Sequence, residues 1–183
     1  MKYLFLILSI AHLTGAMAQR ELLRVEEGLV SFISDAPLET IQAENSKVTG
    51  LLDRAARTFA VQVLVVGFEG FNTPLQQEHF NENYLVSKTW PKATFQGRII
   101  ETVDLTKPGT YAVRAKGMLT IRGQAIERIV ACRVVVQEQG LHISSIFEVV
   151  LDDHGIRIPR VVQQKIAATV KVVLELQFAP EAK

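Results

Sequence analysis

Alternation of apolar and polar side chains with a period of two is the feature that most constrains this chain. It is cleanest over residues 111–122. Tyr111, Val113, Ala115, Gly117, Leu119 and Ile121 form one face; Ala112, Arg114, Lys116, Met118, Thr120 and Arg122 form the other, which is largely polar or basic. Successive side chains of a β-strand point to opposite faces, so such a run buries one face and wets the other. The same period recurs in Phe59, Val61, Val63 and Val65, set against Ala60, Gln62, Leu64 and Val66. It recurs again in Leu141, Ile143, Ser145, Phe147, Val149 and Leu151, and in Val170, Val172, Leu174, Leu176 and Phe178. Further strand candidates are residues 29–34, 38–45, 94–103 and 126–137. Together these make roughly eight strands, an all-β chain of sandwich or barrel type.

The joints carry turn chemistry. Lys107-Pro108-Gly109 precedes the clearest strand, and Glu138-Gln139-Gly140 fits a short hairpin connection with glycine at a positive-φ site. Two helical pieces interrupt the strands. The first begins at Thr73, a candidate N-cap, with Pro74 at the first helical position and Gln76 where a capping box places Glu or Gln. Phe80 and Tyr84, four apart, then share a face. The second follows Ile158-Pro159 and puts Val162 and Ile166 on one side. No internal repeat, low-complexity tract or linker is visible, so one domain is expected.

Residues 1–18 read as a secretory signal peptide. Lys2 is the positive end, Tyr3 to Ile10 the apolar stretch, and Ala16-Met17-Ala18 an A-x-A cleavage site. The domain is then residues 19–183, beginning at Gln19, and it belongs outside the cytoplasm. The apolar stretch is too short for a membrane span, which needs about 20 residues. Cys132 is the single cysteine of the 183 residues, so no internal disulfide can form. It lies between Val130 and Val134 in an apolar register and reads as a buried structural thiol. The formal net charge of +1, with basic residues scattered, gives no footprint for a nucleic-acid partner.

The chain lacks the sequence patterns of catalysis: G-x-S-x-G, H-E-x-x-H, C-x-x-C and a phosphate-binding glycine loop. No catalytic residue, cofactor or metal site is assigned. His79 lies beside Glu78 and near Glu82, but a metal centre needs more ligands than this run offers, and a structural role for the helix is expected. A metal-dependent factor using that helix is the alternative. Asp152-Asp153-His154-Gly155 reads as a solvated turn. Phe80 and Tyr84 could line a pocket mouth or anchor the helix, and anchoring is expected because aromatics on one helix face are usually core; Trp90 reads as another packing anchor, while Phe68, Phe71 and Phe95 could pack or line a pocket.

Alternate residues of an antiparallel barrel point inward, and an eight-stranded barrel either fills itself with side chains or holds one small ligand. The inward candidates are Phe59, Val61, Val63, Tyr111, Val113, Leu119, Ile143 and Phe147. The small Ala115 and Gly117 among them could open a cavity or merely fit the taper of a packed interior, which would leave a structural or partner-binding barrel. An open apolar interior would suit a hydrocarbon chain, at roughly 0.8 kcal/mol for each buried CH₂. Leu64 and Val66, on the nominal outer face, could mark a homodimer contact or a face covered by the helix.

Several segments together resemble the YceI-like lipid-binding family. They are Glu78-His79-Phe80-Asn81-Glu82-Asn83-Tyr84, Trp90-Pro91-Lys92-Ala93-Thr94-Phe95-Gln96-Gly97, Lys107-Pro108-Gly109-Thr110-Tyr111, Ala115-Lys116-Gly117-Met118-Leu119-Thr120-Ile121 and Ile156-Arg157-Ile158-Pro159. They stand in family order over residues 25–178, and the match is nearest to the version in exported proteins of Bacteroidetes-type bacteria. The resemblance implies an extended antiparallel eight-stranded lipocalin-like barrel with one or two short helices. It also implies a periplasmic or secreted location and a polyisoprenoid or fatty-acid-like ligand inside the barrel. Under that reading His79, Tyr84 and Arg122 are candidates for the mouth or polar end. Family members commonly have histidine in the Thr-Ile-His-Gly segment where this chain has Arg122. Arginine could pair bidentately with a phosphate or carboxylate there, or it could be a solvated outward residue in register with Arg114 and Lys116.

Overall fold

The computed structural model describes residues 22–180, so the expected signal at residues 1–18 lies outside the described part. The alternating runs become nine antiparallel strands: β1 (Leu22–Ala36), β2 (Glu39–Asn45), β3 (Val48–Asp53), β4 (Thr58–Leu64), β5 (Lys92–Ile99), β6 (Gly109–Ile121), β7 (Gln124–Gln137), β8 (Gly140–Val150) and β9 (Thr169–Pro180). β1 pairs both β2 and β3, each strand from β3 onward pairs the next in sequence, and β1 also pairs β9 from Leu23 opposite Pro180 to Ile33 opposite Lys171. That last pairing closes the sheet, which removes its free edges.

The ring has eight members, because β2 and β3 are halves of one strand. Both lie along the same edge of β1 in one continuous register, with Val30 opposite Asn45 and Arg24 opposite Leu51. The break between them is built by Asn45, which is 1% exposed. Its Nδ2 donates to the Leu64 carbonyl at 2.7 Å and its Oδ1 accepts from Lys47 N–H at 2.8 Å. The amide is thus satisfied by backbone where a ladder bond would otherwise have to be.

Three boundaries differ from the sequence expectation. β3 carries Gly50 between its inward Val48 and Leu52, and the glycine hides the period. β1 starts well before residue 29; a bulge between Val25 and Glu27 breaks its alternation. β5 stops at Ile99 rather than 103, and the following loop turns Leu105 into the core, where it is 1% exposed.

The two ends of the barrel differ. At the lower end the connections are short, apart from the 100–108 loop. Leu105, Leu23, Val136, Leu141 and Phe178 are packed there into one buried cluster. At the upper end are the β1–β2 turn, the long β4–β5 connection, the β6–β7 turn and the 151–168 loop. Helix α1 (Pro74–His79) lies in the β4–β5 connection. Thr73 caps it as expected, accepting from Gln76 N–H through its side chain. The Gln76 carboxamide, however, receives the N–H of Asn72, not that of the cap residue. The helix widens into a five-residue π turn, Phe80–Tyr84. The second expected helix is only a 3₁₀ turn, Arg160–Val162. The Ile158-Pro159 start supplies φ control but no capping side chain, and the apolar spacing reflects the cavity it covers.

Candidate functional site

Between the lower plug and the upper loops the barrel encloses a cavity of about 430 Å³. That is within the range of about 300–1,000 Å³ usual for small-molecule sites. The interior is therefore not filled by its own side chains. Its wall is aliphatic and aromatic: Val61, Val63, Val113, Leu119, Ile143 and Phe147 face it, and Phe59 and Phe95 lean together with centroids 5.0 Å apart. Seven of the eight inward candidates line it. Tyr111 does not. It stands near the start of β6 at the lower end, below the cavity floor, and its hydroxyl donates to the Lys107 carbonyl at 3.0 Å. Ala115 lines the cavity but Gly117 does not. The glycine is needed for strand approach, since a Cβ there would fall on the Gln96 carbonyl oxygen.

The upper end is built by aromatics from two elements. Phe80, from the π turn, stacks on Phe32 of β1 at 5.4 Å and 10°, and Phe68 and Phe71 meet Phe80 at 5.6 and 5.1 Å. Phe80 is thus both the anchor of the helical segment and part of the cavity wall, the two roles that i, i+4 spacing alone could not separate. His79 and Tyr84 also reach the cavity. Burial pushes the Tyr84 hydroxyl above its ordinary pKa of 10.0. Opposite them the 151–168 loop contributes Ile158, Val162, Lys165 and Ile166. Polar groups are few; Ser34, Glu39, Gln76, His79, Tyr84 and Lys165 gather at this end, and Gln62 and Thr94 add to them from the paired ends of β4 and β5. Glu39 accepts from the Gln76 carboxamide at 2.6 Å, which ties the helix to the start of β2. Lys165 lies in a loop with no strand period to mark it as inward, while Glu39 heads the inward face of β2 with Ile41 and Ala43 but is a carboxylate, which an apolar pattern does not single out.

Arg122 does not line the cavity. β6 ends at Ile121, and Arg122 and Gly123 form the two-residue β6–β7 turn with φ of 50° and 73°. Strand alternation therefore does not extend to it. Its guanidinium lies 5.5 Å from the Trp90 ring and donates from Nη1 to the Gly155 carbonyl. It pins the hairpin tip to the 151–168 loop and to the start of β5. His154, expected in a solvated turn, is 2% exposed beneath the same tip, with Nδ1 3.2 Å from the Gln124 carbonyl. Asp152 and Asp153 beside it stay exposed, as a turn requires.

The wall has one seam. β7 and β8 pair only from Gln137–Gly140 up to Cys132–Ser145. Above that, side chains replace the ladder. Ser145 Oγ donates to the Ala131 carbonyl at 2.7 Å, and Arg128 Nη2 donates to the Glu148 carbonyl at 2.6 Å. Cys132, at the top of the paired part, faces the cavity half-buried, and burial raises its thiol pKa. It is a wall residue, as its apolar register suggested. Leu64 and Val66 remain exposed, so the helix does not cover them. Among the described residues no set of three or more His, Cys, Asp or Glu side chains is placed to hold a metal ion. Glu82 of the His79 run pairs instead with Lys88 at 3.4 Å. No described helix is long and apolar enough to cross a membrane.

Comparison with known proteins places this geometry. Residues 26–178 match the YceI-like domain. No curated protein sequence matches the chain. Solved structures do. A polyisoprenoid binding domain from Saccharophagus degradans, implicated in plant cell wall breakdown, superposes with a TM-score of 0.76 at 10% identity, covering 88% of this chain and 99% of that one. BcnA of Burkholderia cenocepacia gives 0.67 at 18% identity over 82% and 95%. The YCEI protein of Campylobacter jejuni gives 0.57 at 13% identity over the full length of both chains. At these identities the likeness is one of fold.

Proposed function

The chain belongs to the YceI-like domain family, and from that premise we propose that it is an exported, non-enzymatic binding protein for a long-chain amphiphile of polyisoprenoid or fatty-acid type. The observation that carries the reading is the apolar cavity of about 430 Å³, closed below and approached from above. A chain in that cavity exchanges water for aliphatic and aromatic wall along its length. At roughly 0.8 kcal/mol per CH₂, a dozen groups supply enough to exceed the ordering cost of binding. The polar end of the ligand rests at the upper end, where Glu39, Gln76, His79 and Lys165 stand. No step of bond making is required, and the binding of polyisoprenoid by the Saccharophagus degradans domain points the same way. Export is supported by Lys2, the apolar stretch after it and Ala16-Met17-Ala18. It places the protein in the periplasm or outside the cell.

Native mass spectrometry with organic extraction, on protein purified from the exported fraction of its own host, tests this. A stoichiometric mass that extracts as an isoprenoid or acyl lipid is the expected result. Protein that is empty, and that takes up neither class of lipid when offered, would overturn the proposal.

A further inference from the structure

A water-insoluble chain has to reach the cavity from a lipid phase, and the upper rim has the surface to meet one. Three separate elements each leave an aliphatic side chain in solvent there: Leu38 of the β1–β2 turn is 66% exposed, Leu75 of α1 56% and Val161 of the 151–168 loop 90%. Backbone and side-chain bonds hold these elements together around the mouth. Leu38 N–H donates to the Gln164 carbonyl at 2.8 Å. From the other side Asn72 donates to the Thr40 carbonyl at 3.0 Å, and Gln76 donates to Glu39. The same segments line the cavity through Glu39, Gln76, Val162 and Ile166. Rim and mouth are therefore one structure, with its apolar inner side on the cavity and its apolar tips in water.

The charge on the rim is divided by element: Asp35, Glu39 and Glu78 stand on the β1–β2 turn and the helix, Asp152 and Asp153 open the 151–168 loop with Asp153 paired to Arg128, and the rest of that loop is basic. From Ile156 to Ala168 the loop carries Arg157, Arg160 and Lys165 and no acid. All three are exposed, and none makes an ion pair with a described residue. The facing acids are partly engaged: Glu39 by Gln76, Asp35 by the Thr40 hydroxyl at 2.8 Å. Glu78 on the helix stays exposed. Exposed aliphatic tips with a basic segment, Arg157, Arg160 and Lys165, beside Val161 are the chemistry of attachment to an anionic bilayer surface.

We propose that the rim formed by Leu38, Leu75 and Val161, with Arg157 and Arg160, docks the mouth of the barrel onto an anionic lipid bilayer. The inference rests on the carrier reading for its purpose but not for its test.

Flotation of the purified full-length protein with vesicles of equal parts phosphatidylcholine and phosphatidylglycerol decides it. The wild type is expected to float with the vesicles. Replacing the three tips together (L38S, L75S, V161S) removes apolar area worth about a tenfold or greater loss of partitioning. R157E with R160E should lower it about tenfold on these vesicles and little on pure phosphatidylcholine. The double variant L22S, L51S, which removes exposed leucines at the lower end, should float as the wild type does. None of these residues lines the cavity, so uptake of a soluble fluorescent fatty acid reports separately on the interior and on folding. A rim triple variant that takes up the probe and floats unchanged overturns docking. So does a wild type that never floats, or a rim that proves to join two copies, seen as a wild-type dimer that the triple variant dissolves. A wild type that floats but takes up neither the fatty-acid probe nor a polyisoprenol refutes the carrier reading and leaves docking standing.

Discussion

Gly97 and Gly117 face each other across β5 and β6, and neither strand has room for a side chain at that point. A Cβ on Gly97 would fall on the Lys116 carbonyl oxygen, and one on Gly117 on the Gln96 carbonyl oxygen. The pair lets the two backbones approach closely, as glycine in a strand commonly does. Gly117→Ala should force the strands apart and lower stability by about 1–3 kcal/mol, the usual range for overpacking. Chemical denaturation measures this directly. An unchanged midpoint would mean that the wall relaxes freely there.

Phe80 connects the helical segment to the barrel through Phe32, Phe68 and Phe71. Few other apolar contacts hold the segment; no residue of α1 or the π turn is fully buried. Phe80→Ala should reduce stability by about 2–3 kcal/mol, below the full range for a buried phenylalanine. Its local effect should be larger than its global one. Amide exchange over residues 74–84 should quicken while exchange in β6 and β7 holds. Uniform acceleration across both regions would show that the segment is not a separately opening unit.

Phe147 faces the cavity from β8 and Leu119 from β6. A carboxylate at either position would meet the buried chain of the ligand with no partner. Phe147→Asp and Leu119→Glu should lose co-purifying lipid by about tenfold or more. Phe147 is half-buried and better tolerates the charge, so its variant separates lost binding from lost folding. Recovery of the same lipid from a folded Phe147→Asp protein would place the ligand elsewhere.

His154 makes stability depend on pH. Burial holds its imidazole below the ordinary value of 6.5; the neighbouring Arg128 acts in the same direction, while the Gln124 carbonyl and Asp153 oppose it. Between the folded and unfolded values only the unfolded chain takes up the proton. Stability from this group is therefore complete above pH 6.5 and declines as pH falls below that value toward the folded one. His154→Gln keeps a donor for Gln124 and should flatten this part of the curve. The measurement is the difference in thermal midpoint between variant and wild type from pH 7.5 down to pH 5, about the span in which histidine titrates. A constant difference would remove His154 as the source.

Much of this architecture could be read along the chain, and the reason is local. A strand with one buried face writes its period into the sequence, so Tyr111 to Ile121 and Leu141 to Val149 announced β6 and β8, and Thr73-Pro74 announced the helix start. Glycine and bulges erase that period, which is why β3, with Gly50, and the first part of β1, with its bulge at Val25, were not visible. The inward face of each strand was likewise legible, but depth along the barrel was not. Tyr111 and Val113 share a face, yet only Val113 reaches the cavity, because the floor is set by Leu105 and Phe178 from distant segments. Whether the interior is open, where Arg122 finds Gly155 and Trp90, and that Leu38, Leu75 and Val161 meet at one rim depend on which loops the closed ring brings to the same end. Those are contacts between residues far apart in sequence, and alternation of side chains carries no record of them. The chain by itself determined a β-rich protein with an apolar inner face; the closure of β1 on β9 decided that this face encloses a space.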